Sequence, residues 1–188
     1  MHFVALDFET GDYAPNSAIS IGLVKYTNGK KTDEYYSLIC PPKLYIRPDF
    51  TEIHGLRVKD VEDAPLFSQI WAAVKEFIGD FPVIAHNAGF DMGVLCALIA
   101  HYKLDLPSIQ YYDSVFIARK TWPELACHKL TFLGQNFGIQ YEAHNALADS
   151  DTCAQIIVKA AEKQGAKKLA DLSPRYYQLK KLWERKFG

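Results

Sequence analysis

The sequence predicts a mixed α/β domain: a five-stranded sheet, antiparallel at first and parallel afterwards, with helices on its faces. Three observations predict it. The first forty residues fall into strand-length apolar segments joined by a tight-turn signal. Near residue 65 the apolar period changes from that of a strand to that of a helix. Beyond it, short apolar strands alternate with helices, as in a sheet whose later strands are joined by helical crossovers.

The elements follow in order. His2 to Phe8 reads as a buried strand, and Ala18 to Tyr26, rich in Ile and Val, as a second. Thr27-Asn28-Gly29 marks a hairpin, because Asn-Gly tolerates the positive φ of a tight turn. Thr32 to Cys40 returns as the third strand and ends at Pro41-Pro42. Pro65 to Ile78 sets Leu66, Ile70, Val74, Phe77 and Ile78 on one helical face. Pro82 to Ala85 is a short strand, Asp91 to Tyr102 a helix, and Ile109 to Tyr112 the fifth strand. Helices are expected at Ser114 to Thr121, Lys129 to Phe137 and, longest, Asn145 to Lys163. Residues 1–165 form the domain on this reading. Residues 166–188 are a basic helical tail and not a second domain, with Pro174 separating two short helices.

A chain of 188 residues can bury a full core, and 49% hydrophobic with 23% charged residues is an ordinary globular composition. No apolar run is long enough to span a bilayer, so no membrane partner is expected. Met1-His2 leads straight into a strand-like run, so no secretory leader is expected. Cys40, Cys96, Cys127 and Cys153 are scattered with no Cys-x-x-Cys pair, and Cys96 and Cys153 fall in apolar helical patterns. They read as free thiols of a cytoplasmic protein, not as metal ligands.

The net charge of −1 argues against a broad basic nucleic-acid surface. It is unevenly spread. From Lys159 onward nine cations face three anions, a net +6, which leaves −7 on the remainder. An acidic body suits a site that recruits cations before it meets phosphate. The basic end suits either nucleic acid or a solvated helix face.

Three acidic segments carry the chemistry. Asp7 and Glu9 are two apart at the end of a strand, so both project from one face. Two adjacent anions repel unless a cation or proton sits between them, and hard divalent ions favour oxygen ligands. Alone, the pair also fits a solvated strand end. Asp91, in His86-Asn87-Ala88-Gly89-Phe90-Asp91, opens a helix, where a carboxylate caps free N–H groups in many proteins with no metal. His144 and Asp149 are five apart, which puts them roughly 140° apart on a continuous helix. They can meet only if His144 lies in the loop before it.

Together the segments resemble the DEDDh exonucleases, the branch that includes the proofreading epsilon subunit of bacterial DNA polymerase III. The resemblance rests on Asp7-Phe8-Glu9-Thr10-Gly11, on His86 through Asp91, and on His144 with Asp149. It continues in Ile53-His54-Gly55-Leu56, Asp63-Ala64-Pro65, Asp113-Ser114 and Leu130, and covers residues 2 to 163 in order. A sister branch carries Tyr three residues before the last Asp; the four residues between His144 and Asp149 fit the histidine branch. One departure is Thr10 standing alone between Glu9 and Gly11, where many members have two Thr. The tail after Gly165 has no counterpart.

The resemblance implies a ribonuclease-H-like fold and a metal-dependent 3′→5′ exonuclease that acts on a single-stranded or frayed 3′ end of DNA. Two divalent ions, Mg²⁺ or Mn²⁺, would be held by Asp7, Glu9, Asp91 and Asp149, with His144 taking a proton from water. Thr10, Ile53, His54 and Phe90 would line the terminal-nucleotide pocket; for Ile53 and Phe90 a place in the core is the competing reading. Two alternatives stand beside this. One is an RNA-directed exonuclease of the same branch, since the metal motifs do not distinguish the sugars. The other is a non-catalytic binding module, although such modules commonly lose a ligand or the histidine and all five residues are present here. A polymerase or sliding clamp is a candidate partner. Gln178-Leu179-Lys180-Lys181-Leu182-Trp183 is close to a clamp-binding peptide, with spacing off by one, and also reads as an amphipathic helix end.

Overall fold

The computed structural model describes residues 1–140 and 142–187. Its strands are β1 (His2–Thr10), β2 (Ala18–Thr27), β3 (Lys30–Leu38), β4 (Val83–Ala85), β5 (Gln110–Asp113) and β6 (Tyr177–Gln178). Its helices are α1 (Pro48–His54), α2 (Val58–Val61), α3 (Phe67–Ile78), α4 (Gly89–Tyr102), α5 (Ser114–Thr121), α6 (Leu130–Asn136), α7 (Ala146–Gln164), α8 (Leu169–Leu172) and α9 (Leu179–Phe187).

The strands form one sheet in the order β3-β2-β1-β4-β5-β6. The meander is antiparallel, with Asn28 and Gly29 at φ of 53° and 75° in its hairpin turn. β4 joins β1 in parallel and β5 joins β4 in parallel. The mixed sheet with flanking helices is therefore as expected, but it has six strands among the described residues and not five. The sixth comes from the tail: β6 pairs antiparallel with β5, Gln110 opposite Gln178 and Tyr111 opposite Tyr177. Two residues are too few to show a strand period, so the sequence pattern did not reveal it.

β1 explains the layering. Val4, Leu6 and Phe8 join the core that contains α3, α4 and α9, while Phe3 and Ala5 join the core of α5, α6, α7 and α8. A strand buried on both faces needs an unbroken apolar run, which is what Phe3-Val4-Ala5-Leu6 supplies. Asp7 and Glu9 keep the parity of Phe3 and Ala5, so the alternation aims them toward the α7 side. Beyond them the β1–β2 register shifts between Glu9 and Thr10, a bulge of the kind often found beside functional sites.

α7 comes unusually close to the sheet. Gly22 lies opposite Asp7 on β2, and a Cβ built there would fall 2.2 Å from the Ala146 carbonyl oxygen. Only glycine at this position allows the first turn of α7 to rest on the strand pair beside Asp7. The other end of the chain is docked equally firmly. Leu169, Leu172, Leu179 and Leu182 are buried, and Leu179 N–H donates to the Ile109 carbonyl at 2.9 Å. The candidate clamp-binding residues Leu179 and Leu182 thus belong to the core, which favours the helix-end reading of that segment. Two short helices do flank Pro174, with β6 between them. The helices α1 and α2, between residues 41 and 64, were not anticipated; Pro48 starts α1, and Gly55, at φ 77°, ends it.

Candidate active site

The carboxyl ends of the parallel strands β1, β4 and β5 meet at one edge of the sheet, the usual place for a site in open α/β architectures. Asp7 and Glu9 arrive on β1. Asp91 arrives on the first turn of α4 and Asp149 on the first turn of α7. Asp91 and Asp149 are buried, at 1% and 7% exposure, whereas Asp7 and Glu9 are partly buried. Asp91 Oδ1 accepts the Phe8 backbone N–H across the sheet edge at 3.0 Å. That bond ties the second acidic segment to the first.

The electrostatics record the convergence. Burial above all, then the charges of Asp91, Asp149 and Glu9, holds the Asp7 carboxyl well above the usual carboxylate range. Burial and then Asp149 push Glu9 up to about 7. Asp91 is raised by burial, with the Phe8 N–H pulling the other way and Glu9 and Asp113 adding to the rise. Asp7, Glu9 and Asp91 are thus each raised in part by neighbouring carboxylates, and an all-oxygen donor set of this kind fits a hard divalent cation.

His144 completes the cluster. It lies in the turn before α7 with φ of 64°, and its backbone N–H donates to Asp149 Oδ2 at 2.9 Å. Asn145 then caps α7, its side-chain oxygen accepting from Leu147 and Ala148 at 3.1 and 3.2 Å. The left-handed residue before the cap is what lets side chains five apart meet. Glu9, His144 and Asp149 each offer a ligand atom within 4.8 Å of the others. The imidazole is exposed, beside two carboxylates.

The four other expected site residues differ in character. Thr10 is buried, at 5% exposure, while Ile53 and Phe90 are 53% and 48% exposed, which removes the core reading of both. Thr10 and Phe90 line a cavity of about 410 Å³ together with Tyr13, Phe50, Gly93 and Lys186. His54 Nδ1 accepts the Leu56 N–H at 3.1 Å, so the ring proton sits on Nε2, which is buried and has no hydrogen-bond partner among the described residues. Burial, and then the neighbouring His144, lower the His54 pKa against the pull of the Thr10 backbone. The His54 ring therefore faces the Thr10 backbone.

Several supporting residues escaped the sequence reading as parts of the site. His86 Nδ1 lies 2.8 Å from Ser114 Oγ and its Nε2 lies 3.0 Å from the His128 carbonyl; burial lowers its pKa to about 4. It is a neutral strut that fixes the β4–α4 turn. Asp113 Oδ1 accepts both Asn87 N–H, at 3.2 Å, and Val115 N–H, at 2.9 Å, and so locks that turn to the start of α5. A polar residue at the end of an apolar strand was the available signal for both. Gly22 gave none, because its partner is 124 residues away.

Comparison with known proteins gives the family and supports the fold. Residues 4–157 match the RNase_T family, described as exonuclease. The chain belongs to this exonuclease family. Its motif residues and fold put it in the DEDDh branch of the ribonuclease-H-like superfamily. Among relatives, the PolC-type DNA polymerase III of Thermotoga maritima is 31% identical over 177 residues, covering 90% of this chain and 13% of that protein. The PolC-type polymerase of Clostridium perfringens is 27% identical over 164 residues, 86% of this chain and 11% of its own length. The chain thus spans only about a tenth of these polymerases. Exonuclease X, solved with 5′-overhanging duplex DNA, superposes with a TM-score of 0.74 at 22% identity, covering 90% of this chain and 98% of that one. At that identity the likeness speaks for the fold. No helix among the described residues is long and apolar enough to cross a membrane.

Proposed function

We propose that this nuclease is a metal-dependent 3′→5′ exonuclease that shortens a single-stranded or frayed DNA end and releases nucleoside 5′-monophosphates in the reducing cytoplasm. The observation that carries the reading is the gathering of Asp7, Glu9, Asp91 and Asp149 with His144 from three distant segments. The preference for DNA rests on the polymerase relatives, which also motivate a role beside a polymerase, in proofreading or repair.

In this reading Asp7, Glu9, Asp91 and Asp149 would hold two Mg²⁺ or Mn²⁺ ions, which when bound would supply Lewis-acid stabilisation of charge on the scissile phosphate and its leaving oxygen. Asp7, whose carboxyl feels the three other acids, would be a central ligand of the set. His144 accepts the proton of the attacking water; its exposed ring beside Glu9 and Asp149 suits a base that must return the proton to solvent. His54 lines the pocket of the terminal nucleotide, and Ile53 and Phe90 offer apolar surface to its sugar and base. The Asp91–Phe8 and Asp113–Asn87 bonds hold the ligands in place.

The test is digestion of matched 5′-labelled DNA and RNA strands with Mg²⁺ or Mn²⁺, using Asp7→Ala as control. A one-nucleotide ladder that shortens from the 3′ end, needs the ion and is absent with Asp7→Ala is the expected result. His144→Ala should lower kcat by about 10²–10⁴-fold while ion binding persists. Products formed in EDTA, or immediate release of the labelled 5′ nucleotide without a ladder, would contradict the proposal. A ladder from RNA alone would move the substrate to RNA and leave the chemistry intact.

A further inference from the structure

The C-terminal helix packs on α4 through Leu179, Leu182 and Trp183, a stripe at helical spacing. Lys186 continues it. Seven residues return a helix to within roughly 20° of its starting direction, so Lys186 shares the packed face with Leu179. An apolar residue is expected there, and a cation stands in its place. Its amine lies over Gly93 of α4, where a Cβ would meet Lys186 Nζ at 3.0 Å. A lysine in the last turn is favoured by the helix dipole wherever it points, which is the ordinary account of such a residue. That account does not explain its direction. Lys186 makes no ion pair among the described residues, although Lys180 on the same helix pairs with Glu184.

The space it enters is the cavity of about 410 Å³ that also contains Thr10 and Phe90. The rest of that wall mixes small, apolar and aromatic residues with one acid, Asp12; of the rings, Tyr13 is 76% exposed and meets Phe50 edge to face, ring centres 5.0 Å apart. Among the described residues that line the cavity, Lys186 is the only cation. Exposed aromatic rings beside an unpaired cation match the two parts of a nucleic-acid strand, bases and phosphate. The protein body apart from residues 159–188 carries −7, so a strand entering here meets repulsion elsewhere and a positive charge at this point.

We propose that Lys186 binds a backbone phosphate of the substrate strand upstream of its terminal nucleotide. The C-terminal helix, which lies outside the matched family region of residues 4–157, thereby completes the substrate cleft. This rests on the exonuclease reading for the direction of the strand and adds a contact that reading does not require.

The test compares wild type with Lys186→Ala, Lys186→Glu and Lys186→Arg in the full chain, after thermal melts confirm equal folding. Binding of a 5′-fluorescein single strand is followed by anisotropy at several salt concentrations. Hydrolysis of the same strand is compared with that of the p-nitrophenyl ester of thymidine 5′-monophosphate, which has no upstream phosphate. The expected result is about tenfold weaker strand binding for Lys186→Ala, a larger loss for Lys186→Glu and near-recovery for Lys186→Arg. The salt slope should flatten by about 0.7, the value of one single-strand phosphate contact. KM for the strand should rise with kcat little changed, and the ester should be cleaved at the wild-type rate. Equal binding by wild type and Lys186→Ala overturns the proposal, as does an equal loss on strand and ester. Lys186-dependent binding by a wild-type protein that cleaves neither substrate would uphold this contact and sink the exonuclease reading instead.

Discussion

Glu9 shows how one side chain reports on the whole site. Its carboxyl is raised from 4.5 to about 7 by burial and by Asp149, so the folded protein holds its proton more tightly than the unfolded chain does. The sign follows directly. The group favours the fold fully below pH 4.5, and that contribution is lost as pH rises through about 7. Asp7 and Asp91 shift in the same direction. In EDTA, Glu9→Gln should therefore raise the melting temperature at pH 8 by about 4–8 °C, equivalent to roughly 2 kcal/mol, and change it little at pH 4.5. Divalent ions should stabilise the wild type more at pH 8 than at pH 5.5, where protons compete for the same oxygens. A Glu9→Gln variant that melts below the wild type at pH 8 in EDTA would remove this account of the cluster.

At the scale of elements, the decisive contact is that of α7 with the β1–β2 pair. The approach is possible because position 22 lacks a side chain, and it sets Asp149 and His144 against Glu9. Gly22→Val inserts a branched side chain where even a Cβ falls 2.2 Å from the Ala146 carbonyl oxygen. Backbone must yield, since no flexible side-chain end is involved. The expected cost is about 1–3 kcal/mol, with activity down at least about 100-fold as the α7 ligands move away. Thermal melts and initial rates check this. A Gly22→Val variant with wild-type kcat would show that the closeness of α7 does not position the site.

The same contact marks where sequence reading reached its limit. Asp7, Glu9, Asp91, His144 and Asp149 were legible because each stands at a local event, a strand end or a helix start, that a short window records. The orientation of His144 followed from its place in a loop, and the capping by Asn145 confirms where that loop ends. Gly22 looks like any glycine in a strand until its neighbour 124 residues away is known. His86 was visible only as a motif letter, and its work as a neutral strut depends on Ser114 and His128.

For the whole molecule, the tail changes the picture most. Residues 166–188 supply β6 at the sheet edge and α9 against α4, with Leu169, Leu172, Leu179 and Leu182 at 7% exposure or less. A buried leucine contributes about 1.5–3 kcal/mol, so four of them together are comparable to the stability of an average domain. A chain ending at Gly165 should thus melt far below the full chain or aggregate, a result that differential scanning calorimetry would show. A truncated chain with an unchanged melting temperature would make the tail an ornament. The reading of 1–165 as the domain came from helix and strand periods, and a two-residue strand carries no period to read.

All of this depends on carboxylates from β1, α4 and α7 forming one cation site. The most direct measurement is calorimetric titration of the full chain with Mn²⁺ at pH 8, alongside Asp7→Asn, Asp91→Asn and Asp149→Asn. Two bound ions in the wild type, with each single substitution weakening binding by about tenfold or more, is the predicted result. Binding that survives unchanged when Asp91 or Asp149 is replaced would show that these segments do not share a site.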